Sequence, residues 1–345
     1  MTESKHVPIV GPMPHTDEWY DIRDLDTDRT ERPVIIGASE IAVACGVSPY
    51  STPLELFLQK RGEMTKEFSD EQQERMAFGL KLEPVILEAY AGRTGYTVDA
   101  EQPMCFHPEH SWMAATPDGI AYGWPDDPNA PCVGLESKAT SWRMFDATGE
   151  SQDAFGADGT DQVPAMYVMQ TQQQMAVCGF DRVDMPVLFD GSKLRIYHVD
   201  RSETIIEAIV AAGSELAERI LNNDPPPPDY GHARTQEAIQ ALYGFDADAD
   251  PMELDEDADM WTWQVKEMTA QIKEVEKRKA ELQNRILAAF CGASKAVLPN
   301  GETLSRTQIA ETYVTDDDVL RLADRVGQVK RKGYDRLNLP RKRKA

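Results

Sequence analysis

The sequence has no apolar run that approaches the roughly 20 residues needed to cross a bilayer. Its first apolar residues are scattered among prolines and acids instead of forming a secretory leader. A soluble, cytoplasmic chain is expected. Cysteine is sparse: Cys45, Cys105, Cys132, Cys178 and Cys291 stand singly, with no Cys-x-x-Cys pair. That argues against a zinc ribbon, an iron–sulfur cluster or a disulfide framework. The six histidines are isolated, so a histidine-based metal site is not expected. Positive charge is also in deficit, with 36 Lys and Arg against 59 Asp and Glu and a formal net charge of −23. This argues against a protein that coats nucleic acid over its whole surface, though not against one with a local basic channel.

What is present is unevenly placed. A chain of 345 residues can bury a full core and is long enough for one large domain with an appendage. The stretch 246–259, DADADPMELDEDAD, holds eight carboxylates and no base, whereas the last sixteen residues carry eight Lys or Arg against one acid. Such a split suggests separate jobs for separate segments. Ser39 reads as the N-cap of a short helix and Thr52 as the start of another. A longer helix follows, with Met76, Leu80, Leu87 and Tyr90 on one face and Gly92 to Gly95 ending it. Short extended pieces are predicted at 96–99, 104–107, 112–115, 119–122 and 133–138. A glutamine-rich helix ending at Gly179, a hairpin with an Asp-Gly turn, and a helix over 201–221 close the unit at the DPPPPD run. This order predicts an α/β core with mixed strands. From Val265, apolar residues recur by threes and fours through Ala289, interrupted by Lys279. That pattern suits an oligomer seam, a partner's dock or an intramolecular helical hairpin, and an Asn-Gly hairpin follows it.

The candidate chemistry lies in residues 116–140, TPDGIAYGWPDDPNAPCVGLESKAT. Hydrolysis of a phosphodiester needs an activated water and a charge to offset the phosphate, and a divalent cation held by carboxylates supplies both. Hard cations prefer oxygen ligands and keep several waters, so Asp118 and Glu136 with a backbone carbonyl would suffice. On a strand, Glu136 and Lys138 share a face because side chains alternate with period two, and a lysine there can orient the water or help deprotonate it. Solvated charges on an ordinary hairpin are the competing reading.

Five blocks in order carry a specific likeness: IIGASEIAVACGVSPYSTPLELFLQKRG, FGLKLEPVILEAYAGRTG, ATPDGIAYG, GLESKAT and VPAMYVMQTQQQMAVCG. They resemble the YqaJ-type viral recombinases, relatives of the lambda exonuclease within the PD-(D/E)XK nuclease superfamily, over roughly residues 19–222. The resemblance implies a restriction-endonuclease-like core with a central mixed sheet flanked by helices. The change of character beyond the proline run divides the chain into this nuclease domain over 1–225, an acidic linker over 226–260, and a C-terminal coil, hairpin and basic tail over 261–345. It implies an exonuclease that digests one strand of linear duplex DNA from the 5′ end with Mg²⁺ or Mn²⁺, leaving a 3′ overhang for a single-strand annealing recombinase.

By the same likeness, Asp118, Glu136 and the carbonyl of Ser137 hold the cation, Lys138 serves the water, and Glu83 acts through bound waters or a second ion. Gln170 sits near the metal, with Gln172 and Gln174 as exposed helix residues. Ser39 and Arg23 match phosphate-binding positions, with Arg29 or Arg32 able to replace Arg23; Arg143, just after the Glu-Ser-Lys strand, is a further phosphate candidate on its position alone. A serine at a helix N-terminus is also a sound anion site on physical grounds. The lambda-like relatives imply a homo-oligomeric ring, trimeric or tetrameric. Alternatives within reach are another PD-(D/E)XK endonuclease, or a non-catalytic scaffold at DNA ends. The segment DATGESQDAFGADGTDQVP is expected to form a flap over the site, and Trp112, Trp124 and Trp142 are expected mostly in the core.

Overall fold

The computed structural model describes residues 7–23, 34–65, 68–123, 132–146, 151 and 153–307. The chain divides into two compact units, Met1–Phe245 and Asp246–Ala345. In chain order the first holds β1 (Ile9–Val10), α1 (Asp17–Arg23), β2 (Ile36–Gly37), α2 (Ile41–Ala44), α3 (Pro53–Lys60), α4 (Asp70–Thr94), β3 (Thr97–Asp99), β4 (Cys105–Phe106), β5 (Met113–Ala115), β6 (Gly119–Tyr122), β7 (Cys132–Leu135) and β8 (Lys138–Thr140). After a 3₁₀ turn at Trp142–Met144 come α5 (Ala165–Cys178), β9 (Arg182–Phe189), β10 (Lys193–Asp200), α6 (Glu203–Asn222) and α7 (Thr235–Tyr243).

The main sheet runs β10-β9-β7-β6-β3, with β8 also on β9. It is mixed: β9 pairs parallel to β7 and β8, and the other contacts are antiparallel. A second sheet, β1-β4-β5-β2, carries one parallel pair, β2 on β5. The strands between 104 and 122 therefore belong to two sheets and not to one antiparallel run. Helices flank the mixed sheet, with α5 packed on one face and α4 on the other.

Side-chain alternation along β9 decides what each face meets. Val183, Met185, Val187 and Phe189 pack with Met175 of α5, together with Tyr197 and Val199 of β10. The opposite face sets Leu135 and Ile196 against Leu87 and Tyr90 of α4. Asp184 points to that α4 face and is 1% exposed. It accepts from Tyr90 Oη at 2.7 Å and from Arg182 Nε at 2.5 Å, with His198 Nδ1 at 2.7 Å. Burial alone would raise its carboxyl, but those bonds and the charge of His198 hold it below the ordinary carboxylate range.

Helix α4 begins at a capping box, in which Ser69 Oγ accepts from Gln72 N and Gln72 Oε1 accepts from Ser69 N, and it ends on left-handed Gly95. Only Ile86, Leu87 and Tyr90 on it are buried, and Met76 and Leu80 of the expected apolar face are exposed. Helix α7 lies within the stretch read from the sequence as a linker. Its Ala238 is fully buried, and the guanidinium of Arg234 just before it meets buried Glu55 of α3 at 2.9 Å. The segment 153–163 is likewise docked and not a free flap. Phe155 is 1% exposed, Tyr197 Oη donates to Gly156 O at 2.9 Å, and Asp158 accepts from Ile196 N at 2.8 Å.

Trp112 is buried, as expected, and donates Nε1–H to Ser214 Oγ at 3.0 Å. It lies directly over Gly213 of α6, where an added Cβ would fall inside the indole. Gly213→Ala should therefore destabilise the first unit by about 1–3 kcal/mol, as overpacking does. Urea denaturation followed by tryptophan fluorescence checks this, and an unchanged midpoint would contradict the packing. The second unit contains α8 (Glu256–Ala289), a single helix with no buried residue, and the hairpin β11 (Lys295–Val297) with β12 (Thr303–Ser305). A hairpin of two helices is thus not what residues 256–289 form. No helix among the described residues is long and apolar enough to cross a membrane. The basic tail and Trp124 lie outside the described residues.

Candidate functional site

The site grows from a break in one line of chain. Leu135 of β7 lies opposite Asp184, and Lys138 of β8 lies opposite Val187, so both strands keep a single register on β9. Between them, Glu136 N still donates to Asp184 O at 3.1 Å, but Ser137 N turns away and donates to Asp118 Oδ2 at 2.7 Å. Ser137 Oγ donates to the same oxygen at 2.9 Å. The extended piece expected over 133–138 is therefore interrupted, because Asp118 takes the Ser137 amide from the sheet. The shared register keeps Glu136 and Lys138 on the α5 face all the same.

Glu136 is 2% exposed. Its Oε1 accepts from Lys138 Nζ and, at 2.6 Å, from Gln170 Nε2, and its Oε2 accepts from Gln174 Nε2 at 2.5 Å. A buried carboxylate survives only with such partners. Lys138 Nζ also stands 5.3 Å from the centroid of the Tyr167 ring. Both hydrogen bonds from Ser137 fall on Asp118 Oδ2, and no described residue donates to Oδ1 of this cavity-lining side chain.

The cavity has a volume of about 240 Å³ and is lined by Glu83, Asp118, Glu136, Gln170, Ser39 and the β5 end, together with Pro14, His15 and Trp19. Its electrostatics are those of crowded acids. Burial first, and then repulsion from Glu136, push the Asp118 carboxyl up to about 8. Glu83 is raised for the same two reasons in the same order, with His15 and Lys138 opposing. Burial works against the charge of Lys138, but Glu136 and Asp118 outweigh it, so the lysine is held firmly as an ammonium.

Among the described residues, no three His, Cys, Asp or Glu side chains converge closely enough to enclose an ion by themselves. The donor set is hard carboxylate oxygen with an open Asp118 Oδ1 and space for water. This fits a small divalent cation that retains part of its hydration and does not fit a softer, protein-caged metal.

The structure brings Glu83, Asp118, Glu136, Lys138, Gln170 and Ser39 into one region. Ser39 is exposed in the turn before α2, and it does not cap the helix. Glu40 occupies the N-cap position, and its Oε2 accepts from Gly37 N at 2.8 Å. Arg143 is exposed in the 3₁₀ turn and is not among the residues lining the cavity. Arg23 closes α1, but its side chain, like Arg29 and Arg32, lies outside the described residues.

The glutamines of α5 are the main correction. Gln172, Gln173 and Gln174 are all buried. Gln172 bridges Asp200 O and Ser202 N, Gln173 Nε2 donates to Ile36 O and Ala114 O, and Gln174 holds Glu136. A helical period places Gln170 and Gln174 on one face, which was the available signal for Gln174. Gln174→Leu leaves Glu136 Oε2 without its donor and should cost about 1–3 kcal/mol. Part of that is offset because Gln174 Oε1, itself buried without a partner, disappears too. Chemical denaturation near neutral pH checks it, and a variant as stable as the parent would contradict the bond.

Residues 18–181 match the family model described as the YqaJ-like viral recombinase domain. The chain is 26% identical over 273 residues to the uncharacterized protein YqaJ of Bacillus subtilis (strain 168), covering 78% of this chain and 76% of that one. Among solved structures it is similar to an alkaline exonuclease, LHK-Exo, from Laribacter hongkongensis, with a TM-score of 0.43, 20% identity, and coverage of 61% of this chain and 94% of that one. It is also similar to SOX in a SOX–DNA complex, with a TM-score of 0.37, 12% identity, and coverage of 61% and 68%.

Proposed function

We propose, from a YqaJ-like viral recombinase domain over residues 18–181 and the acidic cavity it holds, that this chain is a metal-dependent deoxyribonuclease. In this reading it digests one strand of linear duplex DNA from the 5′ end and leaves 3′ overhangs for strand annealing. The observation that carries the reading is the Glu136–Lys138 pair close to Asp118, with Glu83 lining the same cavity. Asp118, Glu136 and the Ser137 carbonyl would hold Mg²⁺ or Mn²⁺, and Glu83 would act through bound water or a second ion. When bound, the cation would polarise the phosphate and lower the pKa of a water.

The remaining roles belong to the chain's own side chains. Gln170 and Gln174 fix the Glu136 carboxylate in one orientation, which matters because misplaced groups lose most of their effect. Lys138, held as an ammonium, donates to the attacking water or to a phosphate oxygen and does not act as a base. Ser39 at the cavity edge, with Arg23 and Arg143, would contact the DNA phosphates. A homo-oligomeric ring around the duplex and delivery of the overhang to an annealing protein complete the reading.

The test is digestion of a linear duplex labelled separately at each 5′ and 3′ end, with Mg²⁺ and with EDTA. Stepwise loss of the 5′-terminated strand, abolished by EDTA, supports the reading. Internal nicking points to an endonuclease. Binding to ends with no cleavage under Mg²⁺ or Mn²⁺ points to a scaffold.

A further inference from the structure

The cavity lining combines the carboxylates with Pro14, His15 and Trp19. Among the described residues lining it there is no Lys or Arg. His15 has a left-handed backbone, φ 64°. Such a conformation is uncommon outside glycine and persists where its surroundings over-determine it.

Those surroundings are visible. Thr16 Oγ1 donates to Met13 O at 2.8 Å and accepts from Trp19 N at 3.3 Å, which starts α1 and turns the chain sharply at His15. The imidazole then stands 5.4 Å from the Trp19 ring and 6.4 Å from Tyr20, and its Nδ1 lies 3.4 Å from Tyr20 Oη. Trp19 is anchored in turn against Ile35, Met104 and Ala114. The result is a pair of aromatic rings tilted 46° to one another, held by the fold on the lining of the cavity that also holds Asp118 and Glu136.

We propose that His15 and Trp19 form a stacking platform for the terminal nucleobase of a DNA strand whose end enters the acidic cavity. The proposal rests on the nuclease reading above and adds to it a base-recognition surface on this chain. Bases of every kind present a π-face, so the platform grips the end without reading its sequence.

The test uses the full chain and duplexes that carry 2-aminopurine as the terminal base, at the 5′ end in one and the 3′ end in another. Ca²⁺ replaces Mg²⁺ to hold DNA without cutting it. Binding should quench the fluorophore in at least one duplex. His15→Asn tolerates the left-handed backbone but lacks the ring. It should lose the quenching and bind that end about tenfold more weakly, the range expected for one lost stack. His15→Phe should restore both. Quenching by His15→Asn equal to wild type, failure of His15→Phe to rescue, or undiminished affinity for a duplex with an abasic terminus would each overturn the platform. Mg²⁺-dependent cleavage is scored separately. Quenching without cleavage rejects the nuclease reading and keeps the stack, cleavage without quenching rejects only the platform, and no binding to DNA ends rejects both.

Discussion

Lys138→Ala protein is expected to cleave duplex DNA about 10²–10⁴-fold more slowly than wild type, the range in which a positioned proton donor or acceptor contributes. The ammonium stands on Glu136 Oε1 and over the Tyr167 ring, so its loss removes a cation facing the acids. Asp118 and Glu83 both lose a charge that lowers them and should bind protons more tightly still. Glu136→Gln makes the complementary case. It should be as inactive and also less stable by about 1–3 kcal/mol, because its amide turns an NH₂ group towards Lys138, Gln170 and Gln174, which all donate to the carboxylate. This outweighs the relief of Asp118 and Glu83, which Glu136 raises. Single-turnover cleavage and denaturant midpoints, measured on the same preparations, test both halves. Lys138→Ala within tenfold of wild type would remove the lysine from the mechanism.

The pairing of Glu136 with Lys138 was legible in the sequence because period two is a local property, and it survives the break at Ser137 since β7 and β8 share one register on β9. The break itself was not legible. It arises from Asp118, nineteen residues away, capturing the Ser137 amide, and no local pattern encodes that contact. The buried glutamines were misjudged for a related reason. Gln172 and Gln174 look like exposed polar positions until β10, α6 and Glu136 supply their partners. Likewise, the apolar face drawn through Met76 and Leu80 is right in period, but burial on α4 starts only at Ile86. Ser39 lines the cavity but is not the N-cap read from the sequence, since Glu40 folds back to the Gly37 amide and takes that position. His15 gave no signal at all, because its significance lies in a left-handed turn and two neighbouring rings.

The largest pH effect should appear in how a divalent cation changes thermal stability. Asp118 is raised from the ordinary carboxylate range to about 8, by burial and then by Glu136, and Glu83 moves in the same direction. The sign is therefore opposite to that of a salt-bridged acid. The folded protein binds these protons more tightly than the unfolded chain, so metal-free stability from this site is full below pH 4 and declines as pH rises towards 8. Ionised and crowded, the site is then strained and ready for a cation. Binding must displace a proton at low pH and needs none above pH 8, so the apparent affinity for Mg²⁺ should climb across this window and level off beyond it. Millimolar Mg²⁺ should raise the melting temperature by a few degrees at pH 8.5 and hardly at all at pH 5.5. Asp118→Asn should abolish that difference while making the metal-free protein less sensitive to pH. An equal Mg²⁺ shift at both pH values, or one that survives Asp118→Asn, would place the cation elsewhere. The scan needs neither DNA nor turnover, so it tests the acid cluster as a cation site independently of whether the protein cuts DNA.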